Sequence, residues 1–179
     1  MFEVKYFLHN IYIRVYCGNL WAVSAIVLMV LIAWSLLNRV CKGNGFAPVW
    51  KMINRVILSL SLSIIFYYTV LLRNMQQREI ILLPFHFLIE QRDNPEILRS
   101  SLMNVFLFVP VGQTMSTFVR MKNRIPAIMS AAFIVSLAIE LAQFIGMRGR
   151  FEVDDIMLNT LGAVISAFFM SVGEKKNDT

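Results

Sequence analysis

Five stretches of this 179-residue chain are nearly free of charge, and each is long enough to cross a lipid bilayer. Runs 20–37, 56–72, 100–119 and 156–173 contain no Asp, Glu, Lys or Arg, and run 125–147 contains one, Glu140. They are 17 to 23 residues long, which brackets the roughly 20 apolar residues that span a ~30 Å hydrocarbon core. A soluble helical bundle is the competing fold, but its helices would each show a polar face, and these runs mostly do not. Only 16% of the residues are charged, against about 25% in a typical soluble domain. The expected fold is therefore an all-α integral membrane protein, a bundle of about five transmembrane helices over residues 20–173.

Run 20–37 is long for a secretory signal, and no A-x-A-type site follows it, so it reads as a retained helix. Residues 1–19 alternate apolar and polar character, as a short interfacial segment does, and 174–179 form a short tail. Cys17 and Cys41 flank the first run and should end on opposite sides of the membrane, which argues against a disulfide between them. After the second run comes IILLPFHFLI (80–89), too short to cross and broken by Pro84. It suits an interfacial or re-entrant segment, with His86 as an interfacial side chain or a pH-sensitive contact. Ser59 and Ser63, and Gly162 and Ser166, are small-xxx-small pairs of the kind that let helices approach closely in lipid.

The formal net charge is +6, yet the basic residues sit in short loops between apolar runs. That is a topology signal and not a nucleic-acid footprint, so no nucleic-acid partner is expected. The 17 Lys and Arg divide almost evenly between the two sides. The denser, less acid-diluted set lies in 38–55, 120–124 and 174–179, and these segments are expected inside. The N-terminus and the loops 73–99 and 148–155 are then outside, and the C-terminus is cytoplasmic.

On that topology three runs carry a polar residue at similar depth below the outer surface. Asn104 and Asn159 lie roughly 6–8 Å in and Glu140 roughly 10 Å, at 1.5 Å of rise per residue. Gln143 shares a helix face with Glu140, and Asn159 with Asp155. A charge at that depth is costly, so Glu140 should face the bundle, with Gln143, Asn104 or Asn159 as partner. Pro110 deprives the Phe106 carbonyl of its helical bond and predicts a kink, and Gly112 permits close packing. At the mouth of this set stand Arg148, Arg150 and the run FEVDD (151–155). Asp154 or Asp155 can cap the last helix. The remaining charges, Glu152 included, suit either a solvated loop or a site for a cation or a phosphate-bearing headgroup.

The segments NVFLFVPVG (104–112), SLAIELAQ (136–143) and VDDIMLNTLGA (153–163), with YTVLLR (68–73) and LLPF (82–85), resemble the VanZ-like family of bacterial membrane proteins. The resemblance covers about 68–170 and leaves out the first run. Family members often have a single Arg before the acidic run, where this chain has Arg148 and Arg150. The resemblance implies a role in the bacterial cell envelope, because the founding member is associated with low-level resistance to the glycopeptide teicoplanin, but it implies no reaction. The first expectation is thus a polar site near the outer leaflet that engages membrane lipids or a lipidated glycopeptide and alters antibiotic sensitivity. The second is a membrane-embedded enzyme on a lipid-linked envelope precursor, with Glu140 or Asp155 as acid or base and Asp154 and Glu152 on a divalent ion. A transporter subunit and a siteless scaffold are further alternatives. Cofactor and metal are left open.

Overall fold

The computed structural model describes residues 47–71, 73, 77–90 and 95–175, with scattered helical positions between 29 and 41. The expectations for 1–19, for most of run 20–37 and for the tail lie outside the described residues. Helix α1 (Ala47–Phe66) begins with Pro48 in its first turn, where a missing N–H costs nothing, and runs into a π-helical segment, Tyr67–Leu71. A two-residue strand β1 (Ile80–Ile81) and a single turn α2 (Phe87–Glu90) lead to α3 (Pro95–Ser116). A 3-10 turn (Met121–Asn123) precedes α4 (Arg124–Ile145), and β2 (Phe151–Glu152) precedes α5 (Val153–Lys175). The protein is an all-α membrane protein apart from one short parallel pair, Ile80 with Phe151 and Ile81 with Glu152. That pair ties the loop after α1 to the loop between α4 and α5.

Among the described residues, three helical stretches are long and apolar enough to cross a membrane on their own: Pro48–Leu71, Arg124–Ile145 and Val153–Val172. Most of run 20–37 lies outside the described residues, and α3, beside these three, does not meet that measure. The reason lies in packing. Ser101, Gln113, Thr114 and Ser116 of α3 are all buried, and the helix lies against both α1 and α5. An interior helix is shielded from lipid by its neighbours and tolerates polar side chains that bond locally, as Thr114 Oγ1 does to the Pro110 carbonyl at 2.8 Å and Ser116 Oγ to that of Gly112 at 2.7 Å. The helix continues through Pro110.

Helices α3 and α5 meet backbone to backbone. A Cβ on Gly112 would fall 2.2 Å from the Ala163 carbonyl oxygen, and one on Gly162 would fall 2.0 Å from that of Val105. The Gly162/Ser166 pair therefore does pack. Ser59 and Ser63 are exposed, so the matching expectation for α1 fails among the described residues. The apolar core between the helices is built from Ile65, Phe108, Val111, Ile128, Ala132, Ile139, Ala163 and Ala167. On the outward faces, Met129, Phe133, Ile134 and Ile145 of α4 and Leu161, Phe168, Phe169 and Val172 of α5 are exposed. Such stripes are unfavourable in water and are the natural surface against acyl chains.

Candidate functional site

The end of the bundle that carries both loops encloses a cavity of ≈ 280 Å³. Its polar wall is Arg73, Arg99, Asn104, Glu140, Gln143, Asp155 and Asn159, and Ile65, Met103, Leu107, Phe108 and Ile139 supply apolar lining. Helical geometry explains the convergence. Glu140 lies five residues before the end of α4 and Asp155 two residues into α5, so both reach the same level from opposite chain directions. Gln143, one turn after Glu140, shares its inward face and is, like it, nearly fully buried. The π-helical segment at the end of α1 contributes Tyr68 and Thr69 to the wall.

The partners differ from those expected. Gln143, Asn104 and Asn159 were the candidates for Glu140, and none of them bonds it. Arg73 Nη1 donates to Gln143 Oε1 at 2.6 Å, Asn104 Nδ2 to Asp155 Oδ1 at 2.6 Å, and Asn159 Nδ2 to Ser136 Oγ at 2.8 Å. Glu140 Oε2 accepts instead from the backbone N–H of Glu152 at 3.2 Å. A backbone donor has no side-chain signature, which is why residue types alone point elsewhere. Arg73 stands close enough to act electrostatically on both Glu140 and Asp155. Gly149 lies against this pair: a Cβ there would stand 2.8 Å from Arg73 Nη1 and 3.1 Å from Gln143 Oε1, so a larger residue would shift the tips of both side chains.

The FEVDD acids point three ways. Asp154 accepts from the backbone N–H of Phe85 and, at 3.0 Å, of Phe87, holding a turn in which Phe85 adopts the left-handed φ of 61°. Asp155 faces the cavity, and Glu152 Oε1 receives Arg150 Nε at 2.8 Å. Helix α5 already includes Val153, so neither aspartate acts as its cap, and the expected capping role is corrected. The same divergence removes the cation cage. Among the described residues no three His, Cys, Asp or Glu side chains are arranged to hold a metal ion. The proposed ion on Asp154 and Glu152 does not fit, since backbone amides and a guanidinium already occupy those carboxylates.

The two arginines before the acidic run divide into separate tasks, and neither lines the cavity. Arg148 Nη1 donates to the carbonyls of Leu71 (3.3 Å) and Arg73 (2.9 Å), closing the end of the π-helical segment. Arg150 makes a two-pronged bond to Glu90 (2.8 and 3.1 Å), with His86 Nδ1 3.7 Å from the same carboxylate. That bond holds the Glu90 carboxyl below its ordinary value of 4.5 and pushes the Arg150 guanidinium up. The guanidinium inside is Arg73, with Arg99 beside it in the wall. Nothing in the sequence around Arg73 announces this place, because its partner Gln143 lies 70 residues away.

Asn104, Glu140, Gln143, Asp155 and Asn159 thus share one cavity, whereas Arg148, Arg150 and Asp154 brace the loops above it. No curated protein and no solved structure matches this chain. The family model described as VanZ/LLP1 matches residues 21–173, which extends the likeness from 68–170 back through the first apolar run and α1. The chain belongs to the VanZ/LLP1 family.

Proposed function

We propose that this protein sits in the bacterial cell membrane with the cavity opening towards the outer leaflet, and that the cavity binds a membrane amphiphile whose capture alters sensitivity to glycopeptides such as teicoplanin. On this reading α3 and run 20–37 complete five crossings, and the loops that carry Arg148, Arg150 and Asp154 are external. The observation that carries it is the cavity itself: charged groups of both signs, the buried Glu140 and the half-buried Arg73, Arg99 and Asp155, in a helix bundle beside an apolar groove. That groove, ≈ 420 Å³ between α1 and α4, is lined by Leu62, Ser63, Phe66, Val135, Ala138 and Ile139. Ile139 lines both spaces, so a headgroup in the cavity could leave its acyl chain in the groove. A charged residue within a membrane helix is retained at a cost, and function is the default explanation.

The test is expression of wild type and Glu140→Gln in a sensitive bacterium, scored for protein level and for teicoplanin and vancomycin sensitivity. Loss of the protective effect at equal protein level supports the reading. Unchanged sensitivity with both Glu140→Gln and Asp155→Asn sinks it. A second reading, an enzyme on a lipid-linked envelope precursor, is favoured by one feature, two carboxylates from adjacent helices facing one cavity. It requires turnover of a lipid-linked precursor by the purified protein, lost in Asp155→Asn.

A further inference from the structure

We propose that the headgroup taken by the cavity is zwitterionic, a phosphodiester together with a primary amine, as on an aminophospholipid. The inference rests on the binding reading above and names the chemistry of its ligand. Four charged side chains line the cavity, two of each sign: Arg73 and Arg99, Glu140 and Asp155. Three of the four, Glu140, Asp155 and Arg73, keep unused bonding capacity of matched sign. Glu140 uses one carboxylate oxygen for the Glu152 amide and Asp155 one for Asn104, and neither second oxygen has a hydrogen-bond donor among the described residues. The guanidinium of Arg73 has five N–H groups, and its bond among the described residues is the one to Gln143.

A purely anionic headgroup would satisfy the guanidinium but bring a second negative charge against two carboxylates. A purely cationic one would do the reverse. A group carrying both charges two carbons apart places its phosphate oxygens on Arg73 and its ammonium on the free oxygens of Glu140 and Asp155, and each contact is a charge-assisted hydrogen bond. A quaternary ammonium has no N–H to donate and loses those bonds. Size points the same way. The ≈ 280 Å³ cavity lies just below the ~300–1,000 Å³ of sites that hold drug-sized ligands, so it admits a small headgroup rather than a glycopeptide or a saccharide-peptide.

The experiment uses the full chain in lipid nanodiscs of phosphatidylcholine doped with phosphatidylethanolamine or phosphatidylglycerol, with bound lipid counted by native mass spectrometry. We expect phosphatidylethanolamine to be enriched about tenfold over the other two, the factor for one charge-assisted bond kept or lost. Glu140→Gln should reduce that preference towards unity, and Arg73→Gln should weaken retention of both doped lipids. Soluble glycerophosphoethanolamine is added as competitor. Displacement assigns recognition to the headgroup alone, and failure to displace it assigns the chains a share, each consistent with the preference. Equal retention of phosphatidylglycerol or phosphatidylcholine by wild type overturns the proposal without any variant, so a misfolded mutant does not shield it. A clear headgroup preference with unaltered antibiotic phenotypes in Glu140→Gln would refute the sensitivity reading alone. Lost protection with no headgroup preference would refute this inference alone.

Discussion

Replacing Gly162 by Ala should damage both the packing of the bundle and the polar cavity seven residues away. The added Cβ would sit 2.0 Å from the Val105 carbonyl oxygen and 2.8 Å from its carbon. Non-bonded carbon contacts settle near ~3.5 Å, so α3 must move away from α5 by about 1 Å or more at this level. Val105 adjoins Asn104, whose bond to Asp155 is 2.6 Å long. The same displacement stretches it to about 3.6 Å, outside hydrogen-bond range. The combined cost is about 2–4 kcal/mol, from overpacking of roughly 1–3 kcal/mol and a charge-assisted bond of roughly 1.5–3 kcal/mol, the two overlapping because one shift relieves the first and causes the second. The assay is thermal unfolding in detergent of Gly162→Ala beside Gly146→Ala. Gly146 lies at the exposed end of α4 with φ −75°, which alanine adopts freely. Its added Cβ would stand 3.0 Å from the Ala142 carbonyl oxygen, relieved by a shift of a few tenths of an ångström against the 2.0 Å clash at Gly162. Gly162→Ala should lose several degrees of Tm and lipid retention, while Gly146→Ala changes little. Equal Tm values for the two variants would refute the argument that α3 and α5 touch through their backbones.

Two other perturbations address the loops. Asp154→Ala removes the acceptor for the Phe85 and Phe87 amides, at about 1.5–3 kcal/mol per bond to a charged group if the amides stay dry. Hydrogen exchange should then quicken at residues 85 and 87 and remain slow in α4, and unchanged exchange at both would show that the turn holds itself. Acid should release the loop that carries Glu90 late. Because Arg150 holds the Glu90 carboxyl below 4.5, the pair's contribution is fully present above that value and is lost as pH falls through the lower, folded-state value. Proteolysis within residues 77–90 should therefore stay slow down to pH about 4.5 in wild type, whereas Glu90→Gln should be cut quickly at every pH. Equal resistance in the two proteins would rule out the pair as the loop's anchor.

Helix placement was legible because the bilayer demands long apolar runs, and runs 125–147 and 156–173 nearly coincide with α4 and α5. Where the edges slipped, charge was the cause. Helix α1 begins at Ala47 rather than at 56, because Lys51 and Arg55 exclude a segment from hydrocarbon but do not stop a helix. Helix α3 starts at Pro95 for the same reason, with Arg99 inside its second turn. Five of the eight expected site residues converge because helical period and depth can be read from spacing. Their bonds could not be read. Arg73 with Gln143, Arg148 with the Leu71 and Arg73 carbonyls, and Arg150 with Glu90 are separated by 60 to 77 residues, and single charges in a loop announce no partner. Ser136 as the acceptor for Asn159 was hidden among apolar neighbours.

The two-residue parallel pair has a consequence for the order of assembly. Ile80 cannot find Phe151 until the 70 intervening residues, including all of α3 and α4, have been made and threaded. Parallel pairing always needs such a crossover, and here the crossover is the pair of helices α3 and α4. The latch over the cavity therefore closes only on a chain whose interior helices are already in place, and a truncated or half-inserted chain would lack it. The smallest sheet in the protein is thus a late event in folding, and it marks completion of the bundle that it covers.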